Sequence, residues 1–318
     1  MLTLELGCRL HRGPQWLVQW DNLVAKEFRE EAIATDTLAV RDPLLGTRPG
    51  PKVDRLALPG ADGPPLLATG DSFTYGEDVD RLESWPAVLQ DTLHRRVLNG
   101  GVSAYGLDQT VLRTELLARM HPPTAIVVGF IADDLWRLDM RRIWGRDKPT
   151  FTLAVDGTLV LHPPSFEKAH LSFWQHAFGW SVLLQTVIGR LSWHDMWASD
   201  TVRARPAGDG ERLVCPLMDR LAQIGMPTLV VAQYESTLWL RDDVAYTSHQ
   251  LAQTRLALDC ARKAGLPTLD THDIIADAVR HEGAAALYGA GGHHTALGNR
   301  LIAGTVAQEL ARRGMLGR

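Results

Sequence analysis

Five short apolar runs constrain what this 318-residue chain can fold into. They lie at 66–69 (LLAT), 97–98 (VL), 125–130 (AIVVGF), 228–233 (TLVVAQ) and 267–270 (PTLD). None shows the polar-apolar alternation of a strand with one wet face, so each reads as a strand buried on both sides. Between them run helical stretches at 84–93, 108–120, 212–224, 248–264 and 295–313. The first of these opens on Ser84-Trp85-Pro86, an N-cap followed by a proline in the first turn. Strands alternating with helices predict an α/β fold with a mostly parallel five-stranded sheet covered on both faces. In such sheets ligands gather at the carboxyl ends of the strands. Ser72, the segment 99–104, Asp133-Asp134 and Asp270 to Asp273 all follow predicted strands and converge on that edge.

The rest of the chain is less regular. Residues 1–60 show little periodicity and read as an extension packed on the core, with loop chemistry at Asp42-Pro43 and Arg48-Pro49-Gly50-Pro51. The domain proper is expected over 61–318, with an insertion at about 140–210. Asp156-Gly157 between the runs 150–155 and 158–162 is a hairpin signal. Phe173, Trp174, Phe178, Trp180, Trp193 and Trp197 lie on helix-like sequence. Their aromatics form a lid or, the plainer reading, pack on the core. Trp85 is expected in the core, and Trp136 is a candidate pocket wall.

Composition excludes several classes. With net charge −4 and no Lys/Arg-rich run, nothing indicates a nucleic-acid partner. No apolar stretch approaches the roughly 18 residues of a membrane span. Cys8, Cys215 and Cys260 are few, odd in number and far apart, and read as buried thiols rather than a disulfide framework. The expected location is cytoplasmic for the chain as written, and periplasmic or secreted if an N-terminal leader has been removed.

Ser72, in Gly70-Asp71-Ser72-Phe73-Thr74-Tyr75-Gly76, sits where a strand enters a tight turn. A serine hydroxyl becomes a nucleophile when a base removes its proton, usually a histidine held by a third group. The surroundings are not the GxSxG elbow of α/β-hydrolases. GDSFTYG instead resembles the first block of the SGNH (GDSL-type) hydrolase family. The Ser84-Trp85-Pro86 stretch, the segment 99–104 (NGGVSA), the strand ending Ala132-Asp133-Asp134 and the late segment 292–299 (GHHTALGN) follow in that family's order.

The resemblance implies a three-layer, flavodoxin-like α/β/α sandwich and a serine esterase acting on O-acyl esters of small molecules or glycans. No cofactor is called for, and the oligomeric state stays open. It implies Ser72 as nucleophile and His293, five residues before Gly298, as base, with His294 as the fallback. The oxyanion donors would be the backbone N–H groups of Ser72 and of Ala104, where the family has glycine. The third donor, an asparagine in the family, falls at Asp133. An ionised carboxylate accepts and does not donate, and a lost donor of this kind costs about 3–4 kcal/mol. Asp133 is then protonated, turned away, or the orienting acid for His293, because the family's acid position is here Ala290. Asp270-Thr271-His272-Asp273 is the alternative acid–base pair. Asp270, His272, His281, His293 and His294 match no standard metal-ligand spacing. Two rival functions remain: acyl transfer to a carbohydrate or other hydroxyl acceptor, and a catalytically silent ligand-binding domain.

Overall fold

The computed structural model describes residues 2–25, 39–143, 146–166, 171–191, 193, 197 and 210–316. The central sheet has five parallel strands, β1 (Leu66–Thr69), β2 (Val97–Asn99), β3 (Ala125–Phe130), β4 (Thr228–Ala232) and β5 (Thr268–Asp270). Their order is β2-β1-β3-β4-β5. β1, β2, β3 and β4 are buried at every residue, as their unbroken apolar sequences require. In register, Leu66 pairs with both Val97 and Ala125, and Val230 pairs with Val128 and Thr268.

The helices are α1 (Ser72–Tyr75), α2 (Trp85–Leu93), α3 (Leu107–Met120), α4 (Asp133–Trp136), α5 (Gly210–Ala222), α6 (Val244–Lys263), α7 (His272–Glu282) and α8 (Ala296–Arg312). The chain leaves β1 toward β2, then returns past β1 to β3 and continues outward to β4 and β5. Right-handed crossovers therefore put the two sets of helices on opposite faces. α2 packs with α8 on one face, and α3, α5 and α6 pack side by side on the other. This is the expected α/β/α sandwich. Its strand order reverses between β1 and β3, the place where such sheets bind ligands. Trp85 is fully buried, as expected of core.

By contact density the chain divides in two. One unit holds Val53–Leu138, Phe151–His162 and Gly208–Arg318, and contains the sheet. It also holds most of the predicted hairpin, whose strands Thr150–Leu153 and Leu159–His162 flank Asp156-Gly157. The other holds Met1–Lys52, Asp139–Thr150 and Pro163–Ala207. In that unit residues Leu2–Arg12 form a helix that its sequence concealed, because the polar pair Glu5 and Arg9 is buried while Leu2, Leu6 and Leu10 face outward. The Glu5 carboxylate accepts from Arg9 Nε at 2.7 Å and from the Val182 and Leu183 amides that open the helix Val182–Arg190. The Asp42-Pro43 loop chemistry is correct but local. It forms the tip of an antiparallel hairpin, Ala39–Asp42 with Gly46–Pro49, where the Asp42 carboxylate accepts from the Leu44 and Leu45 amides. The plainer reading of the aromatic helices holds only in part: Phe173, Trp174 and Trp193 are more than half exposed and fill no core, while Trp180 and Trp197 are half-buried.

The reading of the cysteines is also corrected. Cys215 on α5 and Cys260 on α6 form a disulfide 45 residues apart in sequence, and Cys8 is free. Helix packing brought together what spacing could not. Closing a loop of that length stabilises by about 3–4 kcal/mol through restriction of the unfolded chain. Thiol titration of the denatured, unreduced protein is expected to find one thiol of the three cysteines. Cys215→Ser is expected to lower urea-unfolding stability by about 3 kcal/mol. Three titrating thiols would show the bond absent.

Candidate active site

Every candidate residue lies in the unit that contains the sheet. Gly70, with φ +156°, ends β1 where no side chain fits: a Cβ there would lie 2.3 Å from Thr74 Oγ1 and 2.6 Å from the Gly129 carbonyl. Asp71 caps α1 by accepting from the Phe73 amide at 3.0 Å. Ser72 thus begins a one-turn helix with its hydroxyl at the sheet's carboxyl edge. His293 comes from the loop before α8. Thr295 caps that helix, and Asn299 binds the loop from within, donating to the His294 and Thr295 carbonyls and accepting from the Trp85 amide. Gly298 is needed there because a Cβ would meet the Leu287 carbonyl at 2.5 Å.

The two elements bring His293 Nε2 to 2.9 Å from Ser72 Oγ. That is the hydrogen bond a general base makes to its nucleophile. With Nε2 as acceptor, the ring proton sits on Nδ1. Nδ1 makes no hydrogen bond among the described residues, but the Asp78 carboxylate stands 3.5 Å from it. Asp78 was missed by sequence reasoning. Its only signals were a carboxylate shortly after the nucleophile turn and glycines at 289, 291 and 292.

His294 is not the base. It is 3% exposed, lies edge-on to Phe73, and burial together with neighbouring His293 holds it neutral, down to about 3. The Asp270/His272 alternative also fails. Asp270 accepts from the Tyr234 hydroxyl and the His272 amide, and the His272 ring contacts Asp273 rather than a nucleophile.

Ala104 has φ +65°, the left-handed conformation that suits glycine, closed by a Tyr105 N–H bond to the Val102 carbonyl. An alanine there costs about 1–2 kcal/mol of backbone strain. The loop is held from below by Arg113, whose Nε donates to the Gly100 carbonyl at 2.7 Å. The amides of Ser72 and Ala104 make no hydrogen bond among the described residues.

Beneath Ser72 lies a buried charge cluster. Arg137 Nη1 is 2.6 Å from Asp134 Oδ1, 2.8 Å from the Tyr105 carbonyl and 3.7 Å from Asp71 Oδ2. Burial pushes both carboxyls upward, Asp134 well above the usual range because Asp71 also repels it, while Arg137 pulls both down. Asp133 faces elsewhere. Its Oδ1 accepts from Gln250 Nε2 at 2.9 Å, and its charge acts on Glu235, past the end of β4. It is not the acid beside His293, which corrects that expectation: its side chain is committed to α6. Burial first, then the charge of Asp133, pushes Glu235 up to about 7.

Comparison with known proteins bears on the fold. No protein-family model and no curated protein matches the chain. Solved structures do. LAE5, an alpha/beta hydrolase enzyme from the metagenome of Lake Arreo, Spain, is 15% identical, with a TM-score of 0.50 over 81% of this chain and 99% of its own. A variant of Axe2, an acetylxylan esterase from Geobacillus stearothermophilus, is 13% identical, with a TM-score of 0.48 over 80% and 96%. A lipase/acylhydrolase from Enterococcus faecalis is 13% identical, with a TM-score of 0.41 over 79% and 97%. The likeness to LAE5 shows the α/β fold with its five-stranded parallel sheet.

Glu235 has a pH signature. The folded state keeps a proton that the unfolded state releases near 4.5, so stability falls as pH rises from 4.5 to about 7 and is flat above. Allowing for solvent around this partly exposed group, the loss is on the order of 1–2 kcal/mol. Glu235→Gln is expected to remove it. Urea unfolding at pH 5 and pH 8 checks this, and an unchanged difference between the two pH values in the variant would refute it.

Proposed function

We propose that this chain is a serine hydrolase of carboxylic esters. The observation that carries the reading is the 2.9 Å contact between Ser72 Oγ and His293 Nε2 at the carboxyl edge of the sheet. As Ser72 Oγ bonds to the acyl carbon, its proton passes to His293 Nε2 and the carbonyl electron pair moves onto oxygen. The Ser72 and Ala104 amides face that developing charge as donors. Collapse of the tetrahedral intermediate breaks the ester C–O bond, and the departing alkoxide takes the proton from His293. Water then attacks the acyl-enzyme, giving its proton to the same nitrogen, and Ser72 leaves reprotonated.

The left-handed Ala104 supports the reading, because it keeps the backbone shape of a glycine-type donor loop at some cost in strain. Asp133 supplies no amide, so the oxyanion relies on two backbone donors, and catalysis is weaker than with a third. The Cys215–Cys260 disulfide favours an oxidising compartment, periplasmic or extracellular.

The test is hydrolysis of a short-chain p-nitrophenyl ester. Ser72→Ala is expected to lower kcat/KM by at least about 10³-fold, His293→Ala comparably, and the double variant no further, as parts of one machine. Equal activity of Ser72→Ala and wild type would remove Ser72 from the chemistry. In the same assay Asp133→Asn is expected to preserve kcat, since the side chain faces Gln250 rather than the reacting oxygen. A loss of about a hundredfold would mean that the carboxylate itself is needed.

A further inference from the structure

The Ser72–His293 pair lacks an acid in the segment that carries its histidine: the three residues before His293 are Ala290, Gly291 and Gly292. We propose that Asp78, from the nucleophile's own loop, is the positioning carboxylate of His293. This rests on the reading of Ser72 and His293 as nucleophile and base.

Three observations converge on Asp78. The first is contact: its Oδ2 is 3.5 Å from His293 Nδ1, the nitrogen that must carry the ring proton when Nε2 accepts from Ser72. Among the described residues it is the carboxylate at ion-pair distance from that ring. Catalytic hydrogen bonds are often long in the unliganded enzyme and shorten once substrate is bound, so 3.5 Å suits a partner that tightens as imidazolium forms. The second is room made for it. A Cβ on Gly291 would lie 2.4 and 2.5 Å from the two Asp78 carboxylate oxygens, and one on Gly289 would lie 3.3 Å from the nearer. The histidine loop is therefore bare of side chains where the Asp78 carboxylate enters.

The third is rigidity. Gly76, at φ +83°, ends α1 with its amide on the Ser72 carbonyl, and the Glu77 amide bonds the same oxygen. The Arg55 guanidinium donates to the carbonyls of Tyr75, Gly76 and Val79. The loop is thus clamped on both sides of Asp78, from the turn that sets Ser72. Neighbouring Glu77 is engaged by the Ser103 hydroxyl. Asp71, the other acid near the ring, is held by the Phe73 amide and Arg137. Through Asp78 one loop holds both partners: it carries the nucleophile at 72 and orients the base from 78.

A positioning acid fixes the tautomer and stabilises the imidazolium formed in the transition state, so its loss lowers kcat more than it raises KM. In p-nitrophenyl ester hydrolysis, Asp78→Asn is expected to lower kcat about 10- to 100-fold with KM within about twofold. The acid limb of its kcat/KM profile should move to lower pH, because the imidazolium has lost its counter-charge. Asp78→Glu should restore part of kcat. Gly291→Ala, which displaces the carboxylate without touching it chemically, should lower kcat in the wild type and add little to Asp78→Asn.

Ser72→Ala run alongside separates the two readings. If Ser72→Ala is inactive while Asp78→Asn and Gly291→Ala keep wild-type kcat and pH profile, the assignment of Asp78 is wrong and the nucleophile stands. If Ser72→Ala is as active as wild type, both fall.

Discussion

The buried guanidinium of Arg137 is the interaction on which the site depends. It meets Asp134 from the end of β3, the Tyr105 carbonyl next to Ala104, and Asp71, which caps the helix that begins at Ser72. Three loops that leave three different strands are thereby tied to one planar cation. Two buried carboxylates face this single positive charge, so desolvation holds both above their ordinary range. Such a cluster is a poor source of net stability, but removing one partner from it costs about 3–5 kcal/mol. Its effect is positional: Ser72 and Ala104 cannot shift relative to each other without breaking it.

Close backbone approach does the rest. Gly70, Gly101 and Gly129 stand where a Cβ would strike Thr74, the α1 backbone or Gln233, so α1 lies directly on the sheet edge. Ala104 adopts a left-handed conformation in the loop after β2. Strain, close packing and buried charge gather within a few residues of Ser72, while the strands beneath are ordinary apolar β-structure. Sites that hold reacting groups in place commonly concentrate such costs.

The departures from the family pattern acquire physical content once the side chains are placed. Asp133 looked like a defect in the oxyanion hole. It is held by Gln250 from α6, and its charge adds to the burial that pushes Glu235 up. The position of the family's acid before His293 is occupied by Ala290. The space left by Gly291 is filled by the carboxylate of Asp78. His294, next to His293, is a buried neutral ring packed on Phe73 and Tyr288.

Several features were legible in the amino-acid sequence: the five strands, the helices between them, and the meeting of Ser72 with a histidine near Gly298. Each is local. Apolar runs with no alternation marked the four buried strands β1 to β4, whereas β5 at the sheet edge is only partly buried, and a serine after Gly-Asp at a strand end needs no distant partner to be noticed. The N-terminal helix escaped because it buries Glu5 and Arg9 and exposes its leucines, which inverts the usual signal. The Cys215–Cys260 bond, the Arg137 cluster and the approach of Asp78 to His293 were decided by tertiary structure alone. Each joins groups whose distance is set by how helices and loops pack on the sheet, and no spacing along the chain records that distance. For Asp78 and His293, 215 positions apart in the sequence, the physical link is a clamped loop and a bare glycine, visible only when both are in place.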